Sequence, residues 1–232
     1  GVAINKKIAA TFSERMDPFT INTTTFILMQ GQMQVPGTVT YAGVTATFDP
    51  ADDLLPNTLY TATVTNYVED LAGNAMVTSY TWSFTTGTGP DVTAPFVIST
   101  DPANAATGVV LNKIITATFS EAMDPLTIST ATFILRRGTT PVGGVVTYAG
   151  TTATFVPYDN LEPNTVYTAT ITTGVEDLAG NPMVSNYVWT FTTGQAVDNT
   201  APFVISTDPP HAATGVPVGK IITATFSEPM NP

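Results

Sequence analysis

The chain has 232 residues, with 18 acidic against 7 basic side chains and a formal net charge of −11. This acidic balance, without a basic cluster, argues against nucleic acids and anionic membranes as partners. The chain contains no cysteine, so no disulfide stabilises it, and no apolar run approaches the length of a membrane span. An acidic, cysteine-free and threonine-rich β-chain is typical of long exported surface proteins of prokaryotes, and we therefore predict an extracellular or cell-surface location.

The sequence repeats itself with a constant spacing of 107 residues, as Phe12, Phe119 and Phe226 show. A repeat of about 100 residues corresponds to one immunoglobulin-sized sandwich and is longer than a solenoid repeat. We therefore predict a tandem array of beads, where a bead is one repeat folded around its own core. The predicted division is a first bead that lacks its first strand (1–87), a complete second bead (88–194), and a linker with the first two strands of a third bead (195–232).

The strands of the second bead are predicted from alternating apolar and polar residues, which indicate half-buried antiparallel strands. In the second strand, Ile115, Ala117 and Phe119 share the inward face. Residues 101–108 are predicted to form a turn-rich crossing after the first strand. The predicted strands are, in chain order, 96–99, 113–120, 131–136, 144–148, 151–156, 166–172 and 187–192.

The sixth strand is preceded by the pattern L-x-P-x-T-x-Y at 161–167, which recurs at 54–60. This pattern is typical of a tyrosine corner, in which the tyrosine hydroxyl bonds to the backbone a few residues upstream in immunoglobulin-like sandwiches. A hairpin is predicted around Gly150, since glycine supplies a positive φ. These features predict an all-β protein made of tandem seven-stranded immunoglobulin-like or fibronectin-III-like β-sandwiches.

Three motifs of the second bead carry a family resemblance: TFSEAMDP at 118–125, LEPNTVY at 161–167, and EDLAGN at 176–181 followed by W-x-F-T-T-G. They resemble the bacterial immunoglobulin-like domains of the S-layer (SbsA-like) type. The resemblance implies a seven-stranded sandwich that serves as a spacer in S-layer proteins, adhesins and multidomain secreted enzymes. It implies no catalysis and does not identify what the array carries at its ends.

Acidic loops are expected to meet where one bead joins the next. In an immunoglobulin-like sandwich the loop after the second strand, the loop after the sixth strand and the incoming linker lie at the same pole. Ca²⁺ takes six to eight hard oxygen ligands, so these loops are candidates for a calcium site between beads. The candidate ligands are Asp91, Glu121, Asp124, Glu176, Asp177 and Asn181 in the second bead, and Glu14, Asp17, Glu69, Asp70 and Asn74 in the first.

A second interpretation of the same residues needs no metal. Asp177 and Asn181 would cap the turn around Gly180, because Asp and Asn side chains bond to nearby backbone groups. Glu121 and Asp124 would then be solvated loop residues, with Asp124 at the start of a turn. The ligand types fit calcium, but no EF-hand spacing fixes them. The residues leave both interpretations open.

Catalysis is not expected. The chain has one histidine, His211, and it lies in a turn-rich segment. The sequence offers no nucleophile with a base partner and no sign of a cleft. Glu176 and Asp177 are adjacent on one loop, whereas the two acids of a glycosidase must face each other across the substrate. We therefore predict a structural protein without cofactors, apart from calcium.

Two functions remain compatible with the sequence. The first is a passive array, such as a stalk, an adhesin spacer or an S-layer component, whose partners are neighbouring repeats. The second is a filament subunit, whose partners are identical chains joined head to tail. In the filament, residues 200–214 would complete the first bead of a neighbouring chain by pairing near residues 6–14. Strand addition of this kind completes a sheet through backbone hydrogen bonds.

Overall fold

The computed structural model describes residues 1–196, 201–228 and 230. The chain divides into two compact units, Gly1–Gln195 and Ala196–Pro232. Regular structure in the described residues is β-strand, apart from two short 3₁₀ turns, so the predicted all-β class of tandem immunoglobulin-like sandwiches is confirmed. No helix in this part of the chain is long and apolar enough to cross a membrane.

The first sandwich packs a three-stranded sheet, in the order β1-β5-β4, against a four-stranded sheet, in the order β3-β2-β6-β7. A 3₁₀ turn at Pro18–Thr20 connects β1 to β2. The strands are β1 (Ile8–Thr11), β2 (Phe26–Gln30), β3 (Met33–Gln34), β4 (Gly37–Ala42), β5 (Thr45–Pro50), β6 (Leu59–Val64) and β7 (Tyr80–Thr85).

The second sandwich repeats this arrangement and adds a strand to each sheet, giving the orders β13-β14-β10-β8 and β12-β11-β15-β16-β9. A 3₁₀ turn at Pro125–Thr127 connects β10 to β11. The strands are β8 (Val97–Asp101), β9 (Ala106–Val109), β10 (Ile115–Phe119), β11 (Phe133–Arg137), β12 (Thr140–Pro141), β13 (Gly144–Ala149), β14 (Thr152–Pro157), β15 (Val166–Ile171) and β16 (Tyr187–Thr193).

All seven strands predicted for the second bead are present, with ends that differ from the prediction by at most two residues. The prediction for residues 101–108 was wrong, because this stretch contains part of β9. β9 pairs in parallel with β16, with Ala106 opposite Phe191 and Val109 opposite Thr193. The short strand has no alternating pattern of its own, and its pairing with a distant strand determines its conformation.

Aromatic side chains fill the space between the two sheets. In the second sandwich the ring of Phe133 lies 5.7 Å from that of Phe155 and 5.8 Å from that of Trp189, between ring centroids. Trp189 is 1% exposed, and Ile115, Ala117 and Phe119 are buried as predicted. Full burial of each large apolar side chain contributes about 1.5–3 kcal/mol, so this alternating pattern drives the sheets together.

The predicted tyrosine corner is present in both sandwiches. The hydroxyl of Tyr167 accepts a hydrogen bond from the Glu162 N–H at 2.8 Å, and that of Tyr60 accepts one from the Leu55 N–H at 2.9 Å. The hydroxyl lies at the edge of the core and satisfies a backbone donor that no strand pairs. The corner therefore anchors the chain at the start of the sixth predicted strand.

A second buried tyrosine fixes the turn after β10. The Tyr148 hydroxyl accepts a hydrogen bond from the Met123 N–H at 2.7 Å and donates one to the Gly150 carbonyl at 2.6 Å. Burial raises the pKa of Tyr148 to about 12. The counterpart Tyr41 accepts the equivalent bond from the Met16 N–H at 2.8 Å.

The described residues of the second unit form one strand pair, in which β17 (Val204–Asp208) and β18 (Thr223–Phe226) run antiparallel. Its register matches that of β8 with β10 in the second sandwich, including a shift near the same position. Every residue of β17 and β18 is exposed. The apolar faces of this pair therefore pack against no core within the described part of this unit.

We expect Tyr148→Phe to lower the free energy of unfolding of the second sandwich by about 1–3 kcal/mol, because it leaves both the buried Met123 N–H and the Gly150 carbonyl without their partner. Tyr41→Phe is the matched control and should cost about 1 kcal/mol, since Tyr41 makes one hydroxyl bond among the described residues. The chain has two tryptophans, Trp82 and Trp189, one in each sandwich. Fluorine NMR of 5-fluorotryptophan protein in denaturant therefore reports each sandwich separately. Equal costs for both variants would contradict this account.

Candidate functional site: the joint between the first two beads

The first sandwich contacts the acidic loops of the second through residues that precede β1. The Lys7 N–H donates a hydrogen bond to the Leu178 carbonyl at 2.8 Å. The Asn5 side chain bonds to both backbone groups of Asp91, donating to its carbonyl at 3.0 Å and accepting from its N–H at 2.8 Å. Asn5 therefore acts as a clamp on the linker, which holds the end of one bead against the pole of the next.

A lysine provides the ionic part of the joint. The Lys7 ammonium lies 2.7 Å from a carboxylate oxygen of Asp124 and 3.3 Å from one of Asp49. Burial lowers the pKa of Lys7, but the hydrogen bond and charge of Asp124, together with Asp49, outweigh this and hold the pKa above its usual value. The charged form is therefore stabilised by the folded joint, and this stabilisation is lost only as the pH rises above the usual lysine range.

Asp124 has a second role within its own bead. Its side chain is 5% exposed, and its other oxygen accepts a hydrogen bond from the Leu126 N–H at 3.0 Å, which caps the 3₁₀ turn. Asp17 caps the equivalent turn of the first bead through the Phe19 N–H at 3.0 Å. The interpretation of Asp124 as the start of a turn is confirmed, whereas its interpretation as a solvated residue was wrong because Lys7 covers it.

Three carboxylates lie beside this contact. Oxygens of Asp91, Glu121 and Asp177 are within 4.8 Å of one another. Asp177 is buried, and one of its oxygens accepts hydrogen bonds from the N–H groups of Ala179 at 2.7 Å and Asn181 at 2.9 Å. Its other oxygen accepts one from the Asn181 amide at 2.8 Å. Asp177 thus caps the turn around Gly180, as the metal-free interpretation predicts.

The crowding of negative charge acts on Glu121. Its pKa lies above the usual value because burial disfavours the carboxylate, and because Asp177 and Asp91 repel it. The nearby Lys6 opposes this shift. The folded protein therefore binds a proton at Glu121 more tightly than the unfolded chain does, and this group destabilises the fold when it ionises.

The predicted ligands of the second bead therefore do not all come together at one site. Asp91, Glu121 and Asp177 come together, whereas Asp124 faces Lys7 and Glu176 lies outside the group. With one oxygen from each residue, the three carboxylates supply three of the six to eight ligands that calcium takes, so their second oxygens, backbone carbonyls or water would have to supply the others. Calcium binding at this joint stays a prediction.

The predicted ligands of the first bead form no comparable group among the described residues. Asp70 repeats the turn cap, accepting hydrogen bonds from the N–H groups of Ala72 at 2.7 Å and Asn74 at 2.9 Å. Asn74 also donates through its side chain, which lowers the pKa of Asp70. The other predicted ligands of the first bead likewise belong to no such group among the described residues: Glu14, Asp17 and Glu69.

The sequence predicted Asp91 and Asp124 at this junction but not the first-bead residues that contact them. Asn5 and Lys7 lie before β1, in a stretch that the strand pattern does not single out. A signal was nevertheless available, because Lys7 departs from the repeat: its counterparts are Ile114 and Ile221. A charged residue that replaces an apolar one at a single repeat position indicates a contact specific to that bead.

A family model described as "Bacterial Ig-like domain" matches three segments of the chain, residues 1–86, 91–193 and 198–232. No protein of the curated collection matches the chain.

Solved structures of low sequence identity are similar to it. CopC from Methylosinus trichosporium OB3b is 14% identical, with 46% of this chain and 99% of that chain covered, at a TM-score of 0.38. Domains 1–6 of the surface layer protein SbsC are 14% identical, with 96% of this chain and 44% of that chain covered, at a TM-score of 0.34. The titin domains z1z2 in complex with telethonin are 9% identical, with 83% and 90% covered, at a TM-score of 0.29.

We expect Glu121→Gln to stabilise the second bead at pH 7 in the absence of divalent cations, because it removes a carboxylate that the fold disfavours. The gain should disappear as the pH falls below the usual glutamate value of 4.5, where the carboxyl is protonated in both the folded and the unfolded state. Thermal melts across this range test the expectation. Glu14→Gln, at the same repeat position in the first bead, is the matched control, and an equal gain there would contradict the charge-crowding account.

The same melts test the calcium prediction. Bound calcium would raise the midpoint of the wild-type second bead, and this rise would be lost in Glu121→Gln. The first bead has no such group of carboxylates in the described residues and serves as the internal reference. If the thermal midpoint of the second bead is the same in calcium and in chelator, the prediction of calcium binding is wrong.

Proposed function

Since the chain belongs to the bacterial Ig-like domain family, we propose that it is a structural repeat array of an extracellular surface protein. In this function the beads act as a spacer, as in a stalk, an adhesin or an S-layer component. The proposal includes no catalytic role and no cofactor. Its partners are neighbouring repeats of the same array.

The joint between the first two beads carries this proposal. A spacer transmits force and keeps its length only when consecutive beads are held at a fixed angle. Asn5 and Lys7 join the beads through a backbone bond, two side-chain bonds to Asp91 and an ion pair with the nearly buried Asp124. These contacts hold the two beads together more firmly than a flexible linker would. Gly1–Gln195 accordingly forms one compact unit.

The distribution of charge also supports a structural function. Ion pairs on a protein surface contribute about 0–1 kcal/mol, but a pair whose carboxylate is buried is costly to break. Asp124 would be left without its cation if the beads separated. The joint therefore resists separation through an uncompensated charge as well as through lost hydrogen bonds.

The family and the acidic, cysteine-free composition both support the proposed surface location. We expect antibodies against the beads to label intact cells of the source organism without permeabilisation. A cytoplasmic marker protein in the same cells provides the control. Labelling that requires permeabilised cells would contradict an extracellular array.

We expect the first two beads to tumble together in solution, because the joint fixes them. Backbone ¹⁵N relaxation of the full chain should give one rotational correlation time for both beads. The double variant Asn5→Ala/Lys7→Ala removes the clamp and the ion pair, so it should give shorter correlation times that differ between the two beads.

The matched control changes the same repeat positions of the second bead, Asn112→Ala/Ile114→Ala, both of which are exposed. It should leave the common correlation time of the first two beads unchanged. Independent tumbling of the wild-type beads would contradict a stiff spacer.

A further inference from the structure

A groove lies on the second bead where the chain passes from β12 to β13, which are edge strands of its two sheets. It consists of two hollows of about 200 Å³ and 260 Å³, which adjoin because both are lined by Val142, Gly143 and Tyr158. We call it the Tyr158 groove. These sheet edges are opposite to those formed by β8 and β9. The polar side chains along the first hollow are Arg137, Thr140, Asp159, Asn160 and Glu162.

Differences between the two beads are concentrated at this groove. Six of the eight residues in 136–143 differ from their counterparts in 29–36, whereas the EDLAGN loops of the two beads are identical. Tyr158 takes the position that Ala51 has in the first bead. The corresponding hollow of the first bead, of about 160 Å³, therefore lacks this ring. The aromatic wall of the groove is a feature of the second bead.

Gly143 makes room for the ring of Tyr158. A Cβ atom at Gly143 would lie 3.0 Å from the Cδ2 atom of Tyr158, so a larger residue would displace the ring. The Tyr158 N–H also donates a hydrogen bond to the Gly143 carbonyl at 3.0 Å, which holds the two residues together. Tyr158 is nevertheless 71% exposed. A tyrosine ring that is held in place and open to solvent loses little conformational freedom when a ligand packs on it.

Polar side chains with both donor and acceptor groups surround the ring. The Arg137 guanidinium lies 3.1 Å from a carboxylate oxygen of Glu162, and both residues have uncharged counterparts in the first bead. An exposed ion pair of this kind contributes about 0–1 kcal/mol, so a ligand can share its groups at little cost. Asp159 and Asn160 are exposed, and no side-chain hydrogen bond fixes them within the described part of the bead.

The position of the groove stays accessible when two beads are joined. In the first bead the equivalent residues Ala51, Asp52 and Asp53 are exposed, although the second bead is bound to that bead through Asn5 and Lys7. The hollow of the first bead is lined by residues of that bead alone. A joint of this type therefore leaves this side of a bead open to a ligand.

The chemistry of the groove indicates the class of ligand. Pro141 in the edge strand β12 has no N–H to donate, so the edge does not favour an added peptide strand. The cation Arg137 is already paired, and Asp159 adds a negative charge, so an anionic ligand would be repelled. A simple cation would use the acceptors and leave the donors unpaired. Sugar hydroxyls both donate and accept hydrogen bonds, and the C–H face of a sugar ring packs on the negative face of an aromatic ring.

We propose that the Tyr158 groove binds a neutral oligosaccharide. One sugar ring stacks on Tyr158, and its hydroxyls bond to Asp159, Asn160 and the pair of Arg137 with Glu162. The second hollow adjoins the first and takes the neighbouring sugar unit. This inference adds a binding activity to the chain, and it stands independently of the spacer function, which makes no use of the groove.

An array of neutral oligosaccharides, incubated with the fluorescently labelled full chain, tests the proposal. Calorimetry then gives the dissociation constant of the strongest ligand. Tyr158→Ala should raise this constant about tenfold or more, because it removes the stacking surface, whereas Tyr158→Phe keeps the ring and should retain most of the affinity. Tyr67→Ala is the matched control, since Tyr67 is an exposed tyrosine of the first bead, and it should leave binding unchanged. If no neutral oligosaccharide binds, or if Tyr158→Ala binds as the wild type does, the proposal is overturned.

Fluorine NMR of protein labelled with 3-fluorotyrosine tests where the ligand binds. The chain has eight tyrosines, and the signal of Tyr158 is identified by its absence in Tyr158→Phe. We expect the oligosaccharide to shift the Tyr158 signal and to leave those of Tyr67 and Tyr80, in the first bead, unchanged. A shift at either of these two tyrosines without one at Tyr158 would place the binding site elsewhere and overturn the proposal.

Discussion

The constraint on which this structure depends is that two twisted sheets must enclose their aromatic residues from every side. Each bead solves this with the same pair of rings, Phe133 with Trp189 in the second and Phe26 with Trp82 in the first. Trp189, in the sandwich that includes the edge strand β8, is fully covered, whereas Trp82, in the sandwich whose described residues place no strand beyond β1, is partly exposed. The burial of one side chain therefore reports whether its sandwich is closed.

The sequence predicts most of the fold because each strand carries its own pattern. Ile115, Ala117 and Phe119 alternate with threonines, and the structure buries them as expected. β9 was missed for the opposite reason: its conformation depends on its pairing with β16, which no local pattern records. The tyrosine corner was predictable because Tyr167 and the donor at Glu162 are five residues apart. Local interactions can be read from the sequence, whereas contacts between distant segments cannot.

The joint illustrates the same limit at the candidate site. The sequence placed the acidic loops at one pole, and Asp91, Glu121 and Asp177 do meet there. It did not predict that Lys7 would neutralise Asp124, because that contact joins residues 117 positions apart in two different beads. Acidic residues thus have two different environments at the joint. Asp124 is paired with a cation, whereas Glu121 is partly buried and crowded by like charges, which raises its pKa.

Both residues of the ion pair are replaced by uncharged residues in the next repeat. Lys7 pairs with Asp124; the position of Lys7 is occupied by Ile114 in the second bead, and the position of Asp124 by Asn231 in the third. Asn231 lies outside the described residues. Removing one partner of a buried pair leaves an uncompensated charge and costs several kcal/mol, but replacing both by neutral residues costs little. A lysine without its aspartate, or an aspartate without its lysine, would leave an unpaired charge at these positions. The Lys7–Asp124 pair is therefore expected to tolerate the loss of both charges better than the loss of either one alone.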